Sequence, residues 1–153
     1  MKKAALFSLF FAINFGGLAL GMWLMNNGPQ SNWYYDLNKA PWTPPSWVFG
    51  TAWSTIMICF SIYLVPFFTK NYSIKKLRLY IIQVVLNVSW NYVFFNQHWV
   101  AGGLIVLILL TSLIFYFFFI FYKEQKQTSY FLLPYMIWLC VATSLNLYIL
   151  IYN

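Results

Sequence analysis

Gln83, Asn87 and Asn91 recur every fourth residue within an apolar stretch, so these amides share one helix face, with Trp90 and Phe94 beside them. A second stripe, Pro134, Tyr135, Trp138, Ala142, Leu145 and Asn146, follows the i, i+3, i+4 spacing of another helix. Amide, phenol and indole groups are costly in hydrocarbon unless they are hydrogen-bonded, so both stripes must face a protein interior. The chemistry open to them is hydrogen bonding and stacking. Either they tie helices together, a common use of polar side chains in membranes, or they line a slot for a flat ligand, with Ala142 leaving room among large aromatics. Trp53, deep in a further apolar run with Phe49 and Gly50, reads as inward-facing, whereas Trp47 at the start of that run reads as an interfacial anchor.

Absences narrow the field. No Asp, Glu, Lys or Arg stands at mid-span, where a proton-coupled carrier places one. The sequence has no phosphate-binding glycine loop, no carboxylate pair and no Ser/His/Asp arrangement, so conventional catalysis lacks a basis and neither cofactor nor metal is expected. The single histidine, His98, lies in a short loop; imidazole can ligate a haem iron, but a lone loop histidine is ordinarily solvated. Cys59 and Cys140 sit in apolar runs and read as small hydrophobes.

The elements that must hold these groups follow from composition. Two acidic residues stand against nine basic ones, 62% of positions are hydrophobic and only 7% charged, with a mean hydropathy of +0.68. Soluble domains carry about 25% charged residues, so the bilayer is this chain's solvent. Five apolar stretches, at about residues 4–25, 46–68, 74–95, 99–122 and 129–151, reach the roughly 20 residues a spanning helix needs. Their continuity excludes an alternating β-barrel and predicts an all-α membrane protein, one domain over residues 1–153. The first run also resembles a signal peptide, with a weak cleavage site at Ala19-Leu20-Gly21, but its length favours a retained helix.

Asn26-Asn27-Gly28-Pro29 is a turn signal ending the first span, and Thr43-Pro44-Pro45 reads as a capping residue and first-turn prolines opening the second. Between them, an amphipathic loop rich in aromatics (Trp33, Tyr34, Tyr35, Trp42) is expected to fold as a cap at the membrane surface. The fourth span, polar only at Thr111 and Ser112 after Ala101-Gly102-Gly103, reads as a lipid-facing wall. Gly17 and Gly21 have the spacing that lets helices approach closely, within the bundle or between protomers. Lys2, Lys3, Lys70, Lys75, Lys76, Arg78, Lys123 and Lys126 fall on one face of a five-span topology and only Lys39 on the other, which places the N-terminus in the cytoplasm and the C-terminus outside. That asymmetry accounts for the net charge of +7 without a nucleic-acid partner, and a polybasic face attracts anionic lipid.

Three segments, WYYDLNKAPWTPPSWVFGTAW, QVVLNVSWNYVFF and LLPYMIWLCVATSLN, resemble the signatures of the TspO/MBR family of tryptophan-rich sensory proteins and peripheral benzodiazepine receptors, in order and on the expected helices. The resemblance implies a bacterial-type, five-transmembrane-helix bundle in the cell membrane, usually a homodimer, with the first loop capping an internal cavity. It further implies binding of porphyrins, other tetrapyrroles and benzodiazepine-receptor-type ligands, with a role in tetrapyrrole sensing, handling or transport. Carried over by position, the ligand would be lined by Trp33, Tyr34, Pro44, Trp53, Asn87, Trp90, Phe94, Tyr135, Trp138, Ala142 and Asn146, with Lys39 near a porphyrin's propionates. Some members degrade protoporphyrin in light, and the tryptophans associated with that activity correspond to Trp53 and Trp138. A regulatory or structural role with an incidental cavity is the remaining alternative. The family's sterol pattern lacks its basic residue here, since the chain ends Leu147-Tyr148-Ile149-Leu150-Ile151-Tyr152-Asn153. The small-residue dimer motif of the third helix is also missing, leaving the Gly17–Gly21 ridge as the expected alternative seam.

Overall fold

Left-handed backbone at Asn26 (φ 45°) and Asn27 (φ 58°), a conformation Asn tolerates better than most residues, stops the first helix and turns the chain into the cap. The computed structural model describes residues 3–153; Lys2, counted above with the basic face, lies outside the described residues. In chain order the helices are α1 (Lys3–Leu24), α2 (Asn32–Asp36), α3 (Ser46–Thr69), α4 (Ile74–Asn91), α5 (Val100–Gln125) and α6 (Leu133–Tyr152). Short 3-10 segments occupy Gly28–Gln30 and Lys126–Leu132, and a π-helical turn, Tyr92–Asn96, prolongs α4. Five long helices form the bundle and α2 lies in the cap.

Each of the five long helices overlaps one of the apolar stretches. Lys3–Gln30, Ser46–Thr69 and Val100–Tyr152, the last containing both α5 and α6, are long and apolar enough to cross a bilayer. α4 carries Lys75, Lys76 and Arg78 in its first turns, and its 18 residues need the π turn to complete the crossing. Pairings across the bundle fix an antiparallel alternation. Phe10 of α1 stacks on Phe68 of α3 at 5.2 Å and meets Tyr80 of α4 edge-on at 5.6 Å, while Thr111 of α5 lies 3.4 Å from Thr143 of α6. Lys3, Lys70, the α4 cations and Lys123 are thereby gathered at one end, and the cap at the other.

The structure resolves two local readings and adds a helix cap. Thr43 does not cap α3: its hydroxyl donates to Ala40 O at 2.7 Å and closes a turn, and α3 begins after Pro45 without a side-chain cap. Ser73 caps α4, its hydroxyl accepting from Lys76 N at 3.3 Å. The Gly17–Gly21 ridge is used inside the bundle, not as an outer seam, because a Cβ on Gly17 would lie 3.6 Å from Val88 and one on Gly21 only 2.6 Å from Asn91 Nδ2. The glycines let α1 approach α4.

The fourth span is not a wall facing only lipid. Leu107, Leu110, Ile114 and Phe117 of α5 are buried in one cluster with Ile56, Phe60, Tyr63 and Phe67 of α3 and Tyr135 and Leu139 of α6, and Gly102 and Gly103 are buried beside Trp99, Asn146 and Phe94. An all-apolar helix carries no polar stripe to mark which face lipid takes, so its inner face is set by packing alone. Lys76 also departs from expectation. Read above as a surface cation, it is 2% exposed and forms an ion pair with Glu124 at 2.5 Å.

The cap is tied down at its far end by Asn153, whose Oδ1 accepts from Asn38 N at 2.8 Å and whose Nδ2 donates to Asn38 O at 3.3 Å. Trp42 Nε1 adds a bond to Ser144 Oγ at 3.2 Å. Exposed bonds of this kind stabilise by about 1 kcal/mol each. Asn153→Ala, which removes two of them, is therefore expected to raise amide hydrogen exchange across residues 33–42 by up to about thirtyfold, leaving exchange in α3 and α5 unchanged.

Candidate functional site

Two layers of side chains carry the predicted site, and Trp90 belongs to both. The outer layer sits under the cap, where Ser31 caps α2 by accepting from Tyr34 N at 3.2 Å and so aims Trp33 and Tyr34 down at the π turn. Trp33 meets Phe94 edge-on at 5.6 Å, Tyr34 meets Phe95 at 5.3 Å, and Trp90 stacks on Phe94 at 5.4 Å with an interplanar angle of 13°. The π turn matters here. A wider turn admits one more residue and swings both Phe94 and Phe95 inward, where they are 2% and 7% exposed. Gly28 makes the closeness possible, since a Cβ there would stand 2.7 Å from the Phe95 ring.

Asn146 holds Trp90, the ring shared by the layers. Its Oδ1 accepts from Trp90 Nε1 at 3.4 Å and its Nδ2 donates to Val100 O at 2.9 Å, so an amide buried in α6 ties together α4 and α5. In the inner layer, Gln83 Nε2 donates to Tyr135 OH at 2.9 Å, and Tyr135 OH donates to Asn87 Oδ1 at 3.2 Å. Trp53 lies edge-on to Tyr135 at 6.0 Å and Phe49 edge-on to Trp138 at 5.3 Å. Trp138 is buried, while Trp53 and Ala142 are half-buried against the same apolar cluster.

The amide stripe divides. Gln83 and Asn87 serve the inner layer, but Asn91 turns toward α1, where it packs on Gly21 and donates to Asn87 O at 3.5 Å. Asn14 of α1 donates to Ser61 Oγ at 2.9 Å and accepts from Tyr80 OH at 3.0 Å, a buried tie between α1, α3 and α4. Every one of these amides has an interhelical role: Asn14 ties α1 to α3 and α4, Asn91 packs on α1, and Gln83, Asn87 and Asn146 tie α4, α5 and α6 beside the aromatic layers.

Lys39 folds back over the cap, its Nζ donating to Tyr35 O at 3.1 Å and lying 4.8 Å above the Tyr34 ring. Pro44 is half-buried just before α3. Burial pushes the Tyr34 phenol above its ordinary range, so its hydroxyl stays protonated at neutral pH and remains a donor. His98 is exposed and stacks on Trp33 at 4.2 Å, with an interplanar angle of 12°; its left-handed backbone (φ 54°) turns the ring back over the cap. A void of about 10 Å³ lies beside Asn14, Gln83 and Asn87, room for no more than a water-sized molecule. The layers are closed side chain against side chain.

Comparison with known proteins gives a consistent picture. The TspO/MBR family pattern matches residues 9–152. The chain is similar to protein CrtK of Rhodobacter capsulatus, 33% identical over 118 residues that make up 74% of each protein. It is similar to the tryptophan-rich protein TspO of Chlorobaculum tepidum, 30% identical over 128 residues, 80% of this chain and 81% of that one. Similarity extends to the translocator protein of Homo sapiens, 31% identical over 126 residues, 78% of this chain and 74% of that one.

Proposed function

Because the chain belongs to the TspO/MBR family and is an integral membrane protein, we propose that it binds tetrapyrroles and similar planar amphipathic molecules between the cap and the inner aromatic layer. The observation that carries this reading is the continuous series of ring faces and amides from Trp33 through Phe94 and Trp90 to Asn146, reached from the cap. A porphyrin's apolar face stacks on Trp90, Trp53 and Trp138. Its propionates stay at the cap, where Lys39 and the Tyr34 hydroxyl supply a charge and a donor. Apolar burial at about 25 cal/mol per Å² offsets the cost of opening the layers and supports micromolar affinity. The names of the relatives, a sensory protein and a translocator, fit a ligand-binding role in sensing or handing over such molecules. The basic end faces the cytoplasm, the C-terminus lies outside, and the functional unit is a homodimer that meets through a lipid-facing surface, as Gly17 and Gly21 are occupied within the bundle.

The test is a protoporphyrin titration in nanodiscs, in darkness, followed by tryptophan quenching. Saturable quenching by the wild type is expected, with affinity reduced at least about tenfold in Trp138→Ala, which opens a hole in the inner layer. Quenching indistinguishable from that of empty discs would refute the reading.

One observation favours a further activity at the same site. Trp53 lies against Tyr135, a phenol hydrogen-bonded at both its lone pair and its proton, so an oxidisable indole and phenol adjoin where a bound porphyrin would sit. Illumination of the loaded protein in air is expected to bleach protoporphyrin, with Trp53 and Trp138 as redox partners and no loss in the dark. Unchanged bleaching in Trp53→Phe/Trp138→Phe excludes that role.

A further inference from the structure

At the end of the bundle opposite the cap, a groove of about 580 Å³ runs between the start of α1, the last turns of α3 and the 3-10 segment before α6. Its volume falls within the roughly 300–1,000 Å³ of small-molecule sites. The groove is graded. Phe7, Ile62, Val65 and Phe131 form an apolar floor, and Lys3 and Lys70 stand on the rim. Along α3, Ile62 and Val65 precede Lys70 by one to two turns, so the floor lies toward mid-membrane and the ammonium groups lie at its surface.

The charge at this rim is uncompensated among the described residues. Glu124 is the carboxylate at this end, and it is engaged by Lys76; Asp36, the other acid, lies in the cap. Lys70 donates to Glu124 O at 3.1 Å, a contact with a backbone carbonyl that fixes its ammonium at the rim and leaves its other protons to serve an anion. An apolar floor beneath a cationic rim, at the depth where lipid head groups meet acyl chains, matches one kind of molecule.

We propose that this groove is a binding site for a single anionic phospholipid. Its phosphate lies between Lys3 and Lys70, with the Thr69 hydroxyl beside it, and an acyl chain runs inward over Val65, Ile62 and Phe7. A free phosphate would leave the floor uncovered, and a zwitterionic lipid would bring its own cation against the two lysines. The site is separate from the cap and both aromatic layers and does not depend on what they bind.

Native mass spectrometry of the full chain, released from detergent after incubation with equal amounts of phosphatidylglycerol and phosphatidylcholine, tests this. One retained phosphatidylglycerol per chain is expected, preferred at least about tenfold over phosphatidylcholine. Lys3→Ala/Lys70→Ala should remove the preference, and Val65→Trp, which fills the floor, should displace both lipids. Lys75→Ala/Arg78→Ala, exposed on α4 at the same basic end and not lining the groove, should leave the preference intact. Selectivity that survives Lys3→Ala/Lys70→Ala, or phosphatidylglycerol retained by Val65→Trp, would overturn the proposal. So would selectivity lost equally in the Lys75/Arg78 variant, which would mark diffuse attraction to the whole basic face. The floor and rim variants read the site independently, so a folding defect in one still leaves the other decisive.

Discussion

Glu124→Ala is expected to destabilise the protein by about 3–5 kcal/mol, because it leaves an ammonium buried without its counter-charge. Lys76 is 2% exposed, and its Nζ lies 2.5 Å from Glu124 Oε1 and 2.8 Å from Phe67 O. What remains without the carboxylate is one carbonyl and the faces of Phe67 and Phe121, at 4.8 and 5.6 Å. Cation–π contacts contribute about 2 kcal/mol when desolvated, less than an unpaired buried charge costs. The two halves of the pair are not equivalent. The Glu124 side chain is 28% exposed and also accepts from Gln125 Nε2 at 3.2 Å, so after Lys76→Met it keeps water and a donor. Lys76→Met should therefore cost clearly less than Glu124→Ala, and Lys76→Met/Glu124→Leu should recover most of the loss. Unfolding midpoints of the three variants in one detergent decide the matter: equal losses for the two single variants would show that the ammonium is not the costly partner.

That pair also shows where sequence reading stopped short. A lysine in the first turn of a spanning helix has the pattern of an interfacial cation, and only the tertiary contact with the end of α5 reveals it as buried. The spans themselves were legible because the bilayer demands length and continuity, and Asn26-Asn27 was legible as a stop because few residues accept its backbone. The polar stripes were legible for a different reason: an amide or phenol in an apolar run must find a partner. The partners turn out to be one another, Gln83 and Asn87 with Tyr135, and Trp90 with Asn146. Periodicity misplaced Asn91 because spacing by fours drifts around a helix of 3.6 residues per turn, carrying that amide toward α1. It also gave no sign of the π turn, whose added residue breaks the very repeat being counted, and so Phe95 and the Trp33–His98 stack went unseen. The inner face of α5 was illegible in principle. Leu107, Leu110 and Ile114 differ in no local property from the Ile105, Ile108 and Leu109 that face outward.

Gly103→Val is expected to have the largest effect on ligand binding, although no ligand is proposed to touch it. A Cβ at this position would lie 3.0 Å from Asn146 Oδ1 and 3.1 Å from Phe94 Cβ, so α5 can pass the site only where it lacks a side chain. Neither neighbour yields freely. Asn146 is held by its bonds to Trp90 and Val100 O, and Phe94 is held between Trp33 and Trp90. Overpacking of this sort costs about 1–3 kcal/mol. The strain falls on the amide that holds Trp90, so affinity for protoporphyrin should drop by more than about tenfold even where the fold survives. Gly16 and Gly50 supply the contrast. A Cβ on either meets nothing within 4 Å, so Gly16→Ala and Gly50→Ala should raise stability by up to about 1 kcal/mol, the ordinary helix preference for alanine, with binding unchanged. Thermal unfolding and the dark titration on all three variants separate a general intolerance of larger residues from a specific one. If Gly103→Val binds like the wild type while Asn146→Ala does not, the amide acts on the ligand directly, and the close passage of α5 is a matter of packing alone.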